Sequence, residues 1–192
     1  MVLIITVLFT ELLVSSIIHE LGHIFLLIHC QIKIYRLSFG IGPIIWKRKN
    51  KKSPIRHLVL RAIPLQASAA FDEDDINFVH ASFLKRVLMI GAGCIFNFFA
   101  AAIVYFISGI RSVRPLSDLE SPLNITTSFI ALNLLLGLFN LIPFGNLDGN
   151  QIFEQFTEKY LYSWSRISLF ALRFLITLCL CFLIIDFYKF WI

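Results

Sequence analysis

Four long apolar stretches, at about residues 2–28, 83–110, 125–144 and 167–185, alternate with shorter polar segments along the chain. Each is close to the roughly 20 residues a helix needs to cross a bilayer. Backbone in lipid must satisfy its own hydrogen bonds, and runs of this length do so as helices rather than barrel strands. The pattern predicts an all-α polytopic membrane protein with four transmembrane helices, in a single domain covering 1–192. The first stretch lacks a basic start and a small-residue cleavage site. It therefore reads as an anchoring span rather than a leader.

One sizeable polar insertion, from Cys30 to Ser82, separates the first two spans. Lys33 to Phe39 partly alternates and carries strand formers, Gly40-Ile-Gly-Pro43 interrupts it, and Arg56 to Pro64 again has strand character. A small membrane-associated β-hairpin over about 32–65 is expected. The acidic run Asp72-Glu73-Asp74-Asp75 lies just before the second span and reads as a solvated helix-start cap. The insertion has no room for a core of its own.

Composition agrees with a lipid environment. Apolar residues make up 58% of the chain and charged residues only 15%, against about 25% charged in soluble domains. The net charge of +5 is concentrated in the insertion, which holds Lys33, Arg36, the cluster Lys47 to Lys52, Arg56 and Arg61. By the positive-inside rule this segment is cytoplasmic. The loop from Arg111 to Asn124 balances Arg111 and Arg114 against Asp118 and Glu120, which suits the outer side. Both termini are then expected outside. Beside a span, the basic cluster reads as a contact for anionic lipid headgroups rather than for nucleic acid. Cys30, Cys94, Cys179 and Cys181 form no CxxC pair and read as packing residues.

The candidate chemistry lies inside the first span, in His19-Glu20-Leu21-Gly22-His23. Residues four apart share one helix face, so two imidazoles can grip one metal ion. The glutamate between them is placed to take a proton from water at that metal. Titratable groups in lipid cost ~2.5 kcal/mol or more each when charged at the centre, and such residues usually serve a function. A catalytic zinc normally takes three protein ligands and leaves one position open. The end of the third span supplies the candidate, Asp148, and charge counting puts it at the same depth as His19 and His23. Pro143 and Gly145 are expected to break the third helix there, which fits a site that must admit water.

Together these residues resemble the site-2 protease family of intramembrane zinc metalloproteases. HELGH fits the family's HExxH, and Asn140 to Gly149 fits its NxxPxxxLDG element. Between them, Phe39 to Pro43 resembles a GxGP segment and Arg61 to Leu65 the IPLGG region. Gly91-Ala-Gly93 with Asn97-Phe98 resembles the AGPxxNF span. The resemblance implies a three-helix catalytic core, one zinc ion per chain and cleavage of membrane-spanning protein or peptide substrates. It implies Glu20 as general base and His19, His23 and Asp148 as metal ligands. It also implies that substrate unwinds and adds as a strand near Gly40 and Gly42, with Asn140 holding its backbone. Asn97 reads either as a substrate contact or as a polar contact between core helices. A regulatory membrane partner and a prokaryotic plasma membrane, with the active site toward the cytoplasm, complete the expectation. The sequence departs from the family at Gln66-Ala67, where Gly-Gly is usual. It departs again at Cys94, Gly145 and Asn150, and none of these is a metal ligand or the base.

Overall fold

A computed structural model describes residues 2–50, 53–71, 74–109 and 122–191. The chain runs α1 (Val2–His29), β1 (Ile34–Lys49), β2 (Ile55–Phe71), α2 (Ile76–Val79), α3 (Phe83–Ile90), α4 (Ala92–Ser108), α5 (Pro122–Asn140), α6 (Asp148–Tyr160) and α7 (Arg166–Trp191). It is mostly helical with one small sheet. Among the described residues two helices are long and apolar enough to cross a membrane, Ile5–His29 and Arg166–Asp186. A third candidate is the pair Phe83–Ile90 and Ala92–Ser108, bent by 60° at its break. The helix Ile125–Asn140 is apolar but shorter.

The second apolar stretch is therefore two helices rather than one straight span. Gly91 closes α3 with its N–H on Val87 O and opens α4 with its own carbonyl accepting from Ile95 N–H. Its φ of −84° and ψ of 3° leave helical geometry for one residue, and the axis turns there. The loop residues Arg111, Arg114, Asp118 and Glu120, together with Lys51, Lys52, Asp72 and Glu73, lie outside the described residues. Asp75 caps α2, accepting from Asn77 N–H at 2.9 Å, while Ser82 caps α3 through Lys85 N–H. The acidic run thus caps a short helix before the span, not the span itself.

The insertion is more than the expected hairpin over 32–65. Each strand is long and bent, so its two halves find different partners. Residues 34–39 run parallel to 55–60, with Ile34 opposite Ile55 and Phe39 opposite Leu60. On their other edge they pair antiparallel with 67–71, Phe39 opposite Ala67 and Ile34 opposite Phe71. Residues 44–49 pair antiparallel with 57–61, Lys49 opposite His57 and Ile44 opposite Arg61. The order across the sheet is then 44–49, 55–61, 34–39, 67–71. The bend in β1 needs Gly40 and Gly42, whose φ values are +91° and +85°. These lie in the region that side-chain-bearing residues avoid.

The edge 67–71 lies along α1. Ala67 N–H donates to Ser16 Oγ at 3.1 Å, and Ala69 N–H donates to the Glu20 carboxylate. At the His29 end of α1 a small core of Leu27, Ile32, Ile34, Phe78, Met89 and Ile90 ties helix, sheet and α3 together. A second cluster, Ala101, Ile130 and Ala131, joins α4 to α5. Between them the contact of α1, α4 and α5 is polar. Asn97 and Asn133 are fully buried at the joint, and such polar pairs hold helices together where lipid provides no hydrophobic drive.

Candidate metal centre

His19 and His23 project from one face of α1 as their spacing predicts. Asp148 reaches the same point from another element. Helix α5 stops at Asn140, and a short irregular segment carries Pro143 and Gly145, the latter at φ +60°. The chain becomes helical again at Asp148, the first residue of α6. A carboxylate in a first helical turn is favoured by the exposed N–H groups there. Pro143 and Gly145 thus mark a break at the site. The helix that follows was not foreseen, although Ile152, Phe153, Phe156 and Tyr160 repeat at helical spacing.

The three donor atoms form a near-equilateral triangle. His19 Nε2 lies 3.3 Å from His23 Nε2 and 3.3 Å from Asp148 Oδ2, and His23 Nε2 lies 3.2 Å from the same oxygen. Donors at ~2.05 Å around a tetrahedral zinc have mutual edges of about 3.3 Å. The triangle therefore fits that ion. No other group of three His, Cys, Asp or Glu donors of this kind occurs among the described residues.

Each imidazole is fixed by its other nitrogen. His19 Nδ1 lies 2.7 Å from Asn97 Oδ1, and His23 Nδ1 lies 3.2 Å from Met89 O. Both partners are acceptors, so both Nδ1 atoms carry the proton and both Nε2 lone pairs face the centre of the triangle. The carboxyl of Asp148 is buried, with Oδ2 turned toward both Nε2 atoms, where an ionised carboxylate could share a metal ion with them.

Glu20 is buried beside the triangle. It accepts from Ala69 N–H, while its Oε2 has no hydrogen-bond partner among the described residues. A buried unsatisfied carboxylate oxygen is costly. Glu20 also lines a cavity of about 640 Å³, together with His19, His23, Asn140, Asp148 and the edge residues Ala67 to Ala69. That arrangement can bind a metal ion, admit water and hold a proton acceptor next to it.

The remaining predicted residues divide. Asn140 lines the cavity, its Nδ2 tied back to Leu136 O at 2.9 Å. Gly40 and Gly42 line a smaller adjoining cavity. Asn97 sits behind His19, with Nδ2 donating to Ser15 O at 3.0 Å and to Asn133 Oδ1 at 2.9 Å. Its polar atoms are all engaged by the protein, which matches the helix-contact alternative.

Several participants escaped the sequence reading. Asn133 Nδ2 donates to Ser15 Oγ at 2.9 Å and so completes the network behind His19. Cys94, read as a packing residue, donates its thiol to Asp148 Oδ2 at 3.6 Å. Ser128 Oγ lies 2.8 Å from both oxygens of the buried Glu11. The spacing of Glu11, Ser15 and His19, four apart on α1, was the available signal for a polar face.

Comparison with known proteins agrees with this geometry. The model of peptidase family M50 matches residues 7–118, more than half of the chain. Protease RseP of Yersinia pestis is 31% identical over 121 residues, which cover 56% of this chain and 26% of that protein. A Pasteurella multocida protein, whose name describes it as a zinc metalloprotease, is 31% identical over 125 residues, 54% of this chain and 26% of its own length. The regulator of sigma-E protease RseP of Escherichia coli is 29% identical over 111 residues, 51% of this chain and 24% of that protein. The chain thus spans about a quarter of the length of these relatives. With the HExxH helix inside the matched region and Asp148 folded onto it, the chain belongs to peptidase family M50.

Proposed function

We propose that the chain is a zinc-dependent intramembrane endopeptidase that cuts membrane-spanning or membrane-anchored peptides in or near the bilayer. The observation that carries this reading is the triangle of His19, His23 and Asp148, with the buried, unsatisfied Glu20 oxygen beside it. The names of the relatives, protease and zinc metalloprotease, support it.

When bound, zinc supplies Lewis acidity and lowers the pKa of water toward ~7. The protein's own residues do the rest. His19, His23 and Asp148 hold the ion. Glu20 accepts a proton from the attacking water and returns it to the leaving amine. Ala67 to Ala69 border the cavity beside Glu20, so an extended substrate can lie there, and Asn140, which lines the same cavity, can orient its carbonyl. In this proposal the chain crosses a prokaryotic plasma membrane four times, with α3–α4 and α5 as the second and third spans, the site toward the cytoplasm and both termini outside. The basic residues after α1 favour that orientation. A membrane partner that presents substrate completes the proposal.

The test is cleavage of a single-span substrate by the purified, zinc-loaded chain in proteoliposomes. The expected result is a defined product with wild type and none with Glu20→Gln, at unchanged zinc content. Cleavage by Glu20→Gln at the wild-type rate would remove Glu20 from its assigned role.

A further inference from the structure

Beside the metal cavity lies a second one of about 320 Å³. Arg36, Ser38, Arg61, Ser68 and the Gly40–Gly42 turn form its wall. Arg36, Ile41 and Ser68 also line the metal cavity, so the two spaces share a wall. No carboxylate lines the smaller one among the described residues.

Strand register explains the cluster. Ser38 stands opposite Ser68 on one side and Val59 on the other. Arg36 and Arg61 are each two residues along from members of that row, so all four polar side chains share one face of the sheet. Arg61 is fixed, with Nε–H donating to Ser38 Oγ at 3.2 Å and Nη1 donating to Gly42 O at 2.7 Å. Its Nη2 has no acceptor among the described residues. Ser38 Oγ accepts from Arg61 and keeps its own proton to donate. Arg36 has neither a hydrogen bond nor an ion pair among the described residues. Around this pair the sheet is apolar at its tip, with Ile41, Ile44, Ile45 and Ile63 all exposed. Among the described residues neither arginine has an anionic partner, so Arg36 and the remaining donors of Arg61 are open to a ligand.

The position relates the cluster to the cleft. Arg36 pairs opposite Ala70, the residue after Ala69, whose N–H reaches Glu20. A peptide lying along 67–71 passes the general base and the cationic face within a few residues. Guanidinium forks and free hydroxyl donors match a carboxylate, which takes two parallel hydrogen bonds from arginine.

We propose that this cavity is an anion subsite of the cleft, binding a carboxylate of the substrate a few residues from the scissile bond. The carboxylate is either an acidic side chain or a chain-terminal group. The inference rests on the peptidase reading, and the experiment separates the two.

Binding is measured with the full chain as the zinc-loaded Glu20→Gln variant in neutral-lipid nanodiscs. The probes are fluorescent single-span peptides with Glu or Gln placed in turn along the segment beside the span, each with a free or amidated C-terminus. The expected result is at least about tenfold tighter binding for one Glu position or for the free terminus, the size of one charge-assisted contact. The ratio falls toward one when Arg36→Gln is added. Arg61→Lys keeps the charge but not the fork, and should lower the ratio partially. Equal affinity for charged and neutral peptides, or no binding of either, overturns the subsite. So does an Arg36→Gln effect confined to adsorption on phosphatidylglycerol vesicles, which would assign the arginines to lipid headgroups. Cleavage by the wild-type chain is followed in parallel. A charge preference in binding with no cleavage keeps the subsite and sinks the peptidase reading. Cleavage without charge preference does the reverse.

Discussion

Asn97 Oδ1 lies 2.7 Å from Nδ1 of His19, and the amide nitrogen of the same side chain bonds α1 and α5 at once. One residue of α4 therefore sets the tautomer of His19, a candidate metal ligand, and joins the helices that carry the site. Losing a partner of this kind typically costs 10- to 100-fold in metal affinity. Asn97→Leu should weaken zinc binding by about that factor, measured by competition with a chelator. Asn97→Asp keeps the acceptor and should retain more of the affinity. Equal affinities in all three proteins would show that His19 is oriented by something else.

Gly93 lets α4 approach the ligands. A β-carbon there would sit 2.5 Å from His19 Nε2 and from His23 Nε2. Gly93→Ala must push α4 away or displace an imidazole, and overpacking of this kind costs about 1–3 kcal/mol. The expected outcome is a folded protein with little bound zinc, read by metal analysis of the monodisperse fraction. Full zinc occupancy would mean that the helix contact yields at no cost.

Gly40 carries the bend in β1. At φ +91° its β-carbon would also meet Ile63 O at 2.7 Å. Gly40→Ala should destabilise the sheet by about 1–3 kcal/mol. Faster amide exchange in residues 34–39 and 67–71 than in α7 would report it. Unchanged exchange in the sheet would count against the bent pairing.

A zinc ion held by His19, His23 and Asp148 would tie α1 to the start of α6 and so stabilise the fold as any ligand of the native state does. At free zinc 100-fold above its dissociation constant the gain is about 2.7 kcal/mol. Removing it with a chelator should lower the melting temperature in detergent, and added zinc should restore it. Asp148→Ala should melt at the same temperature with and without chelator.

How much of this was legible beforehand follows from where the information lies. The pair His19 and His23 is local, because four residues make one helical turn and the face is set by the sequence alone. Asp148 required a second argument, from depth and from the run Asn140 to Gly149, because its partner residues are far away in the chain. The bent sheet was not legible as such. A hairpin reading assigns each strand one neighbour. In the fold, residues 34–39 have two, because Gly40 and Gly42 turn the chain back and Ala67 to Phe71 return to the same strand. Ala67, which replaces a usual glycine, is buried there with its N–H on Ser16. Cys94 reads from the sequence as a packing residue and Asn133 is not singled out there, since their contacts appear only when the helices meet.

The most direct test of the account is zinc K-edge X-ray absorption on the purified wild-type chain. The account predicts one zinc per chain with nitrogen and oxygen donors at ~2.0–2.1 Å, imidazole scattering from two histidines, and no sulfur at ~2.3 Å, although Cys94 Sγ lies 3.6 Å from Asp148 Oδ2. Loss of the signal in Asp148→Ala would complete the assignment. A zinc–sulfur distance in the wild type, or no zinc under metal-replete conditions, would contradict the ligand set of His19, His23 and Asp148.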